Sequence, residues 1–134
     1  MKSMKGKLGM VSAAVAAVIA FNPVSAQAPG LGMLNTLERG AWELRLRSDG
    51  SNRRICVRTG RELIQLRHRQ PACDRFVVQD ESREVTVQYT CRGNGYGRTT
   101  IRRESPDVVQ IRSQGIHGGA PFSMEGEARH VGSC

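Results

Sequence analysis

Four cysteines, three histidines and several arginine clusters are the residues through which this chain could do chemistry. The cysteines, Cys56, Cys73, Cys91 and Cys134, lie 17, 18 and 43 residues apart. A structural zinc site wants close pairs such as Cys-x-x-Cys, which this spacing lacks, so no metal site is expected. In an oxidising compartment an even count reads as two disulfides, with three connectivities open. Cysteine catalysis needs a free thiolate, and paired cysteines leave none.

His68, His117 and His130 could act as bases, and seven serines from Ser48 to Ser133 could act as nucleophiles. None of these serines sits in a Gly-x-Ser-x-Gly elbow, so no catalytic residue is assigned and no enzyme activity is expected. His117 precedes Glu125, Glu127 and His130, but strand alternation puts both glutamates on one face and His130 on the other, which splits a metal-ligand set. Gly115-Ile116-His117-Gly118-Gly119 lacks the strand–loop–helix setting and the Gly-Lys-Ser/Thr ending of a phosphate loop; its glycines supply positive φ in a wide turn. No cofactor is implied.

The basic clusters are Arg53-Arg54, Arg67-His68-Arg69 and Arg102-Arg103. Adjacent strand residues point to opposite faces, so neither arginine pair forms a patch by itself. Arg67, His68 and Arg69, just past an expected helix end, are the local candidate for anion binding; the simpler reading is a solvated or ion-paired cluster that satisfies that helix's last carbonyls.

The compartment follows from the N-terminus. Lys2, Lys5 and Lys7 precede an apolar run from Leu8 to Phe21, Pro23 breaks it, and Val24-Ser25-Ala26 offers a cleavage site. The run is about 14 residues, short of the roughly 20 that span a bilayer. Residues 1–26 therefore read as a signal peptide, and the mature chain is expected to be periplasmic or secreted, with no later membrane span. The full chain carries a formal charge of +8, of which Lys2, Lys5 and Lys7 supply three, leaving +5. Every basic residue beyond them, histidine aside, is arginine, a side chain suited to forked pairing with carboxylate or phosphate. Outside the cytosol such anions are envelope components and not nucleic acid.

The elements that position these residues are mostly strands. Residues 27–39 form a weakly patterned lead-in, and residues 40–134 a single disulfide-bridged domain. From Gly40 the apolar period is two: Trp42, Leu44 and Leu46 alternate with Glu43, Arg45 and Arg47. Ile55 and Val57 share a face that Cys56 does not. Thr59 and Glu62 match a capping box before Leu63, Ile64 and Leu66, so one short helix is expected there, ended by Arg67-His68-Arg69 and Pro71. Strands follow around Phe76–Val78, Glu84–Thr90, Arg98–Arg103, Val108–Ser113 and Phe122–Val131, joined by short turns. Trp42, Phe76, Tyr89 and Phe122 fall in strands and are expected in the core. The fold class is mainly β: an antiparallel meander of about seven strands, a curved sheet or half-barrel, with one short helix.

A hairpin centred on Ser82 sets Cys73 opposite Cys91, at a Cβ separation a disulfide can bridge. That leaves Cys56 for Cys134. The loop-entropy model gives each bridge roughly 3–5 kcal/mol.

Four landmarks carry a family resemblance: Gly40-Ala41-Trp42-Glu43, Ile55-Cys56-Val57, Thr90-Cys91 and the closing Arg129-His130-Val131-Gly132-Ser133-Cys134. Their order over about residues 38 to 134 resembles a family of small secreted bacterial proteins catalogued as a domain of unknown function (the family numbered 3617). The resemblance implies a periplasmic, cysteine-bridged β domain and brings no catalytic residues. This chain lacks an insertion that many of those proteins carry between the first strand and the first cysteine.

The functional expectation is a non-enzymatic binding or structural module at the cell envelope, meeting an anionic component or a protein partner. The alternative is a small carrier that holds an apolar or lipid-like ligand in a curved sheet.

Overall fold

A computed structural model describes residues 30–71 and 73–134. The expected signal segment, residues 1–26, lies outside the described residues. Among the described residues there are seven strands: β1 Gly40–Leu46, β2 Asn52–Val57, β3 Asp74–Asp80, β4 Glu84–Cys91, β5 Gly95–Ser105, β6 Val108–His117 and β7 Ala120–Gly132. They make one antiparallel sheet in the order β2-β1-β7-β6-β5-β4-β3, not closed into a barrel.

The alternation expected from sequence is what builds the inner face. Trp42 stands opposite Ile55, and Leu44 opposite Ala128. Ala128 stands opposite Val109, Ile111 opposite Ile101, and Ile101 opposite Val85. All of these except the half-buried Ile55 are buried in one hydrophobic cluster. The outer face carries charge of alternating sign across the strands. Arg112 Nε donates to Glu125 at 3.0 Å, Gln110 Nε2 donates to Glu127 at 2.8 Å, and Arg129 pairs with Glu127. Exposed pairs of this kind contribute about 0–1 kcal/mol each, and their main effect is to neutralise the face.

One connection departs from a simple meander. Following the antiparallel pairings across the sheet, β2 and β3 run in the same direction, so no hairpin can join them. Strands that run alike need a crossover of a dozen or more residues. Residues 58–73 provide it, and the closure that a meander leaves open is made between β1 and β7 instead.

The crossover fills the concave side of the sheet. Leu63, Ile64, Leu66 and His68 are all buried. The expected helix is reduced to a single 3-10 turn, Arg61–Leu63. The capping contacts do form: Glu62 accepts from the Thr59 N–H at 3.2 Å, and Thr59 Oγ1 accepts from Arg61 N–H at 3.2 Å. What prevents a helix is burial on more than one side, which an extended, irregular chain satisfies better. Thr99 and Ser113 anchor this segment to the sheet floor. The Ile64 carbonyl can only accept, so Thr99 Oγ1 donates to it at 2.6 Å, and Ser113 donates in turn to Thr99 at 2.8 Å.

The lead-in is also part of the core. Leu31, Met33, Leu34 and Leu37 are buried around a 3-10 turn, Gly32–Thr36. Gly60, at φ 83°, passes so close that an added Cβ would sit 2.7 Å from the Leu34 carbonyl oxygen. Glycine is required there on both counts.

Two further expectations are corrected. Phe76 is 70% exposed, because β3 is an edge strand whose inner face belongs to Arg75 and Val77; Phe76 pairs across to Gln88 on the outer face. The wide turn expected at Gly115-Ile116-His117-Gly118-Gly119 shrinks to two residues. His117 pairs with Ala120, and Gly118 and Gly119 both take positive φ, as a primed hairpin turn demands.

Both expected disulfides form, with Cα separations of 4.4 Å for Cys73–Cys91 and 5.6 Å for Cys56–Cys134. The β3–β4 register from Asp74 to Val77 is centred on Ser82, as the pairing argument assumed; a bulge after Val77 takes up the extra residue nearer the turn.

Candidate functional site

The crossover and the two edge strands enclose a cleft of about 460 Å³. Its lining includes Arg53, Arg54 and Ile55 of β2, Arg75 of β3, and Leu66, Arg69 and Pro71 of the crossover. Each edge strand is tied to the crossover by an arginine. Arg53 Nη2 donates to the Leu66 carbonyl at 2.8 Å, and Arg75 Nε donates to Gln65 Oε1 at 2.6 Å. Among the described residues each guanidinium is thereby held through one of its five N–H donors.

The cleft is electrostatically unbalanced. Its four arginines face one carboxylate, Glu62, and among the described residues none of the four forms an ion pair. Burial opposes the Glu62 charge, but backbone N–H groups of Glu62, Thr59 and Arg58 outweigh it and hold the carboxyl below its usual range. That carboxylate is therefore committed to the backbone. Partial burial lowers the Arg53 guanidinium pKa, and the charges of Arg69 and Arg67 lower it further. Burial does the same at Arg75, with the Arg61 charge adding to it and Glu62 offsetting part. Arginine stays protonated throughout, so the repulsion is stored as unsatisfied positive potential. Most arginines of the chain form no ion pair among the described residues, and this seam gathers four of them around one cleft.

The sequence candidate Arg67-His68-Arg69 is divided by the fold. Arg67 and Arg69 are exposed, Arg69 lines the cleft, and Arg67 lies near enough to Arg53 to repel it. His68 is corrected to a core residue. It is 0% exposed, its ring lies edge-on to Tyr89 at 5.2 Å and to His117 at 5.0 Å, and both ring nitrogens are occupied. The Asn94 carbonyl only accepts, so in the neutral ring Nε2 carries the proton and donates to it at 2.9 Å. Nδ1 then accepts from the Tyr89 hydroxyl at 2.9 Å. Burial pushes the Tyr89 phenol up, so Tyr89 remains a donor.

Replacing His68 with alanine is expected to cost about 2–4 kcal/mol, because it opens a cavity and leaves the buried Tyr89 hydroxyl without its acceptor. The urea midpoint reads this effect. Lost anion binding at unchanged stability would instead restore His68 as a ligand.

Sequence reasoning missed Arg53, Arg54 and Arg75. Strand alternation by itself separates Arg53 from Arg54, because neighbours on a strand point to opposite faces. At the rim of a curled edge strand both faces meet the same cleft, so that rule does not separate them. Nothing in the local sequence around Arg75 signals that β3 approaches the crossover.

No family model, no curated protein and no solved structure matches the chain. Two disulfides are compatible with an extracellular or periplasmic location. Among the described residues no helix is long and apolar enough to cross a membrane.

Proposed function

We propose that this protein is a non-enzymatic binding module acting in the periplasm or after secretion, and that its seam cleft takes an anionic group of an envelope component or a protein partner. The observation that carries this reading is the set of Arg53, Arg54, Arg69 and Arg75 around one cleft, none of them in an ion pair among the described residues. A protein stabilised only by compactness gains nothing from four unpaired cations together, because their mutual repulsion opposes folding. The leader-like N-terminus and the two disulfides support the compartment. The non-enzymatic reading is supported by the histidines: His68 and His130 each give a ring nitrogen to a backbone carbonyl, that of Asn94 and that of Arg39. The carrier alternative draws no support from the concave face, where Leu34, Trp42, Leu63 and Ile64 are buried side chains.

The test is binding at low salt to inorganic polyphosphate, phosphatidylglycerol vesicles and an acidic peptide. At least one should bind, weakening steeply as salt screens the cleft. An arginine near an anionic surface contributes about 1 kcal/mol, so the double variant Arg53→Gln/Arg69→Gln should bind roughly 30-fold more weakly. Absence of binding to all three probes at low salt overturns the reading. Binding that ignores the double variant moves the site elsewhere.

A further inference from the structure

The cleft is bounded by the two free edges of the sheet, and this gives its ligand a shape as well as a charge. The Leu46 N–H donates to the Ser51 carbonyl at 2.9 Å, and the β1–β2 register continues from that pair. In an antiparallel ladder the directly bonded pairs alternate, so Arg53, Ile55 and Val57 bond to β1. The backbone N–H and C=O groups of Asn52, Arg54 and Cys56 then point away from β1, toward the free edge. Among the described residues no backbone group outside the sheet bonds to them. A bare edge of this kind is a template for another strand.

We propose that the cleft binds an acidic peptide segment of a protein partner in extended form, added as an eighth strand on β2. The inference rests on the anion-binding reading above and names its ligand class. Because β2 and β3 run in the same direction, one strand laid antiparallel to β2 is antiparallel to β3 as well, the only orientation that continues the pattern of the sheet. Main-chain hydrogen bonds to Arg54 and Cys56 supply affinity without regard to sequence, and the side chains select. Arg53, Arg54, Arg69 and Arg75 select carboxylates. Ile55, Leu66 and Pro71 offer apolar contact to the side chains that alternate with them. A phosphate-bearing ligand would use the arginines but not the strand edge, so the bare edge favours the peptide.

The probe is an acetylated, amidated hexapeptide of alternating glutamate and valine, titrated into the oxidised protein at low salt. A second copy carries N-methyl groups on alternate residues, which removes the donors facing β2 and leaves the charge intact. The proposal expects the N-methylated peptide to bind at least tenfold more weakly. It also expects the Arg54 and Cys56 amides to slow in hydrogen exchange when the unmodified peptide is present. In the protein, Arg54→Gln removes the charge and the side-chain bond to the Ser133 carbonyl but keeps the backbone N–H. Arg54→Pro removes the same charge and the edge N–H, a change that edge strands tolerate; it should bind at least tenfold more weakly than Arg54→Gln. Arg54→Pro is compared at matched thermal midpoint, and exchange in the wild-type chain gives the answer independently if it does not fold. Equal binding of both peptides, with no exchange protection, overturns strand addition and leaves the anion site standing. Binding of polyphosphate or phosphatidylglycerol vesicles but not of either peptide does the same and assigns the cleft to phosphate. No binding of any probe overturns both.

Discussion

Replacing Cys56 and Cys134 together by alanine should lower the unfolding free energy by roughly 4–5 kcal/mol, from the chain entropy that a closed loop removes from the unfolded state. The two residues are 78 apart in sequence, the longer of the two loops. The bridge ties β2, an edge strand bonded on one side only, to the chain end beyond β7. Without it the edge frays, and with the edge goes one wall of the cleft. The Cys73–Cys91 bridge, with a separation of 18, should contribute about 3 kcal/mol by the same reckoning. Urea unfolding of the two paired-alanine variants checks both the size and the order. A larger loss at Cys73–Cys91 would show that packing of the buried Cys91 against the core outweighs loop length. Either loss is a large part of the roughly 5–15 kcal/mol that holds a domain folded.

Trp42→Ala should cost about 3–5 kcal/mol. The ring is fully buried on the inner face of β1, and its Nε1–H donates to the Glu38 carbonyl at 2.9 Å. That bond pins the lead-in to the sheet, and His130 lies edge-on at 6.0 Å. Truncation removes packing from the centre of the core and the tie to the lead-in in one step. Trp42→Phe separates the two effects, since it keeps a ring and loses the donor, and should cost about 1–3 kcal/mol. Trp42 is the only tryptophan, so far-UV circular dichroism and not fluorescence must follow the unfolding. A cost below about 1 kcal/mol for Trp42→Ala would mean that the core closes over the gap, against the packing described for this sheet.

Much of the sheet was legible because a strand's two faces are encoded by alternate residues. Leu44 faces the core and Glu43 the solvent for reasons internal to β1. Cys73 meets Cys91 because a hairpin counts residues from its turn, and the bulge after Val77 lies beyond the cysteines on the turn side. Phe76 misled because hydrophobicity states a preference, while the register of an edge strand assigns the face. The helix expected after Thr59 failed for a related reason. Its capping contacts are local and formed, but Leu63, Ile64 and Leu66 had to fill a concave sheet. That requirement comes from strands far away in sequence.

The anion site shows the same division. Arg67 and Arg69 were visible as neighbours in the chain, whereas their company with Arg53, Arg54 and Arg75 was not. By itself the sequence determined the alternating strands, the turns between them, and the cysteine pairing that follows from a hairpin's symmetry. All three depend on residues close together or on simple counting. The tertiary structure alone decided that β1 closes against β7, that β2 and β3 are left as like-directed edges, and that the crossover between them gathers arginines from three separate stretches. Those outcomes depend on how many strands a curved sheet holds before it meets its own edge, and no local period encodes that number.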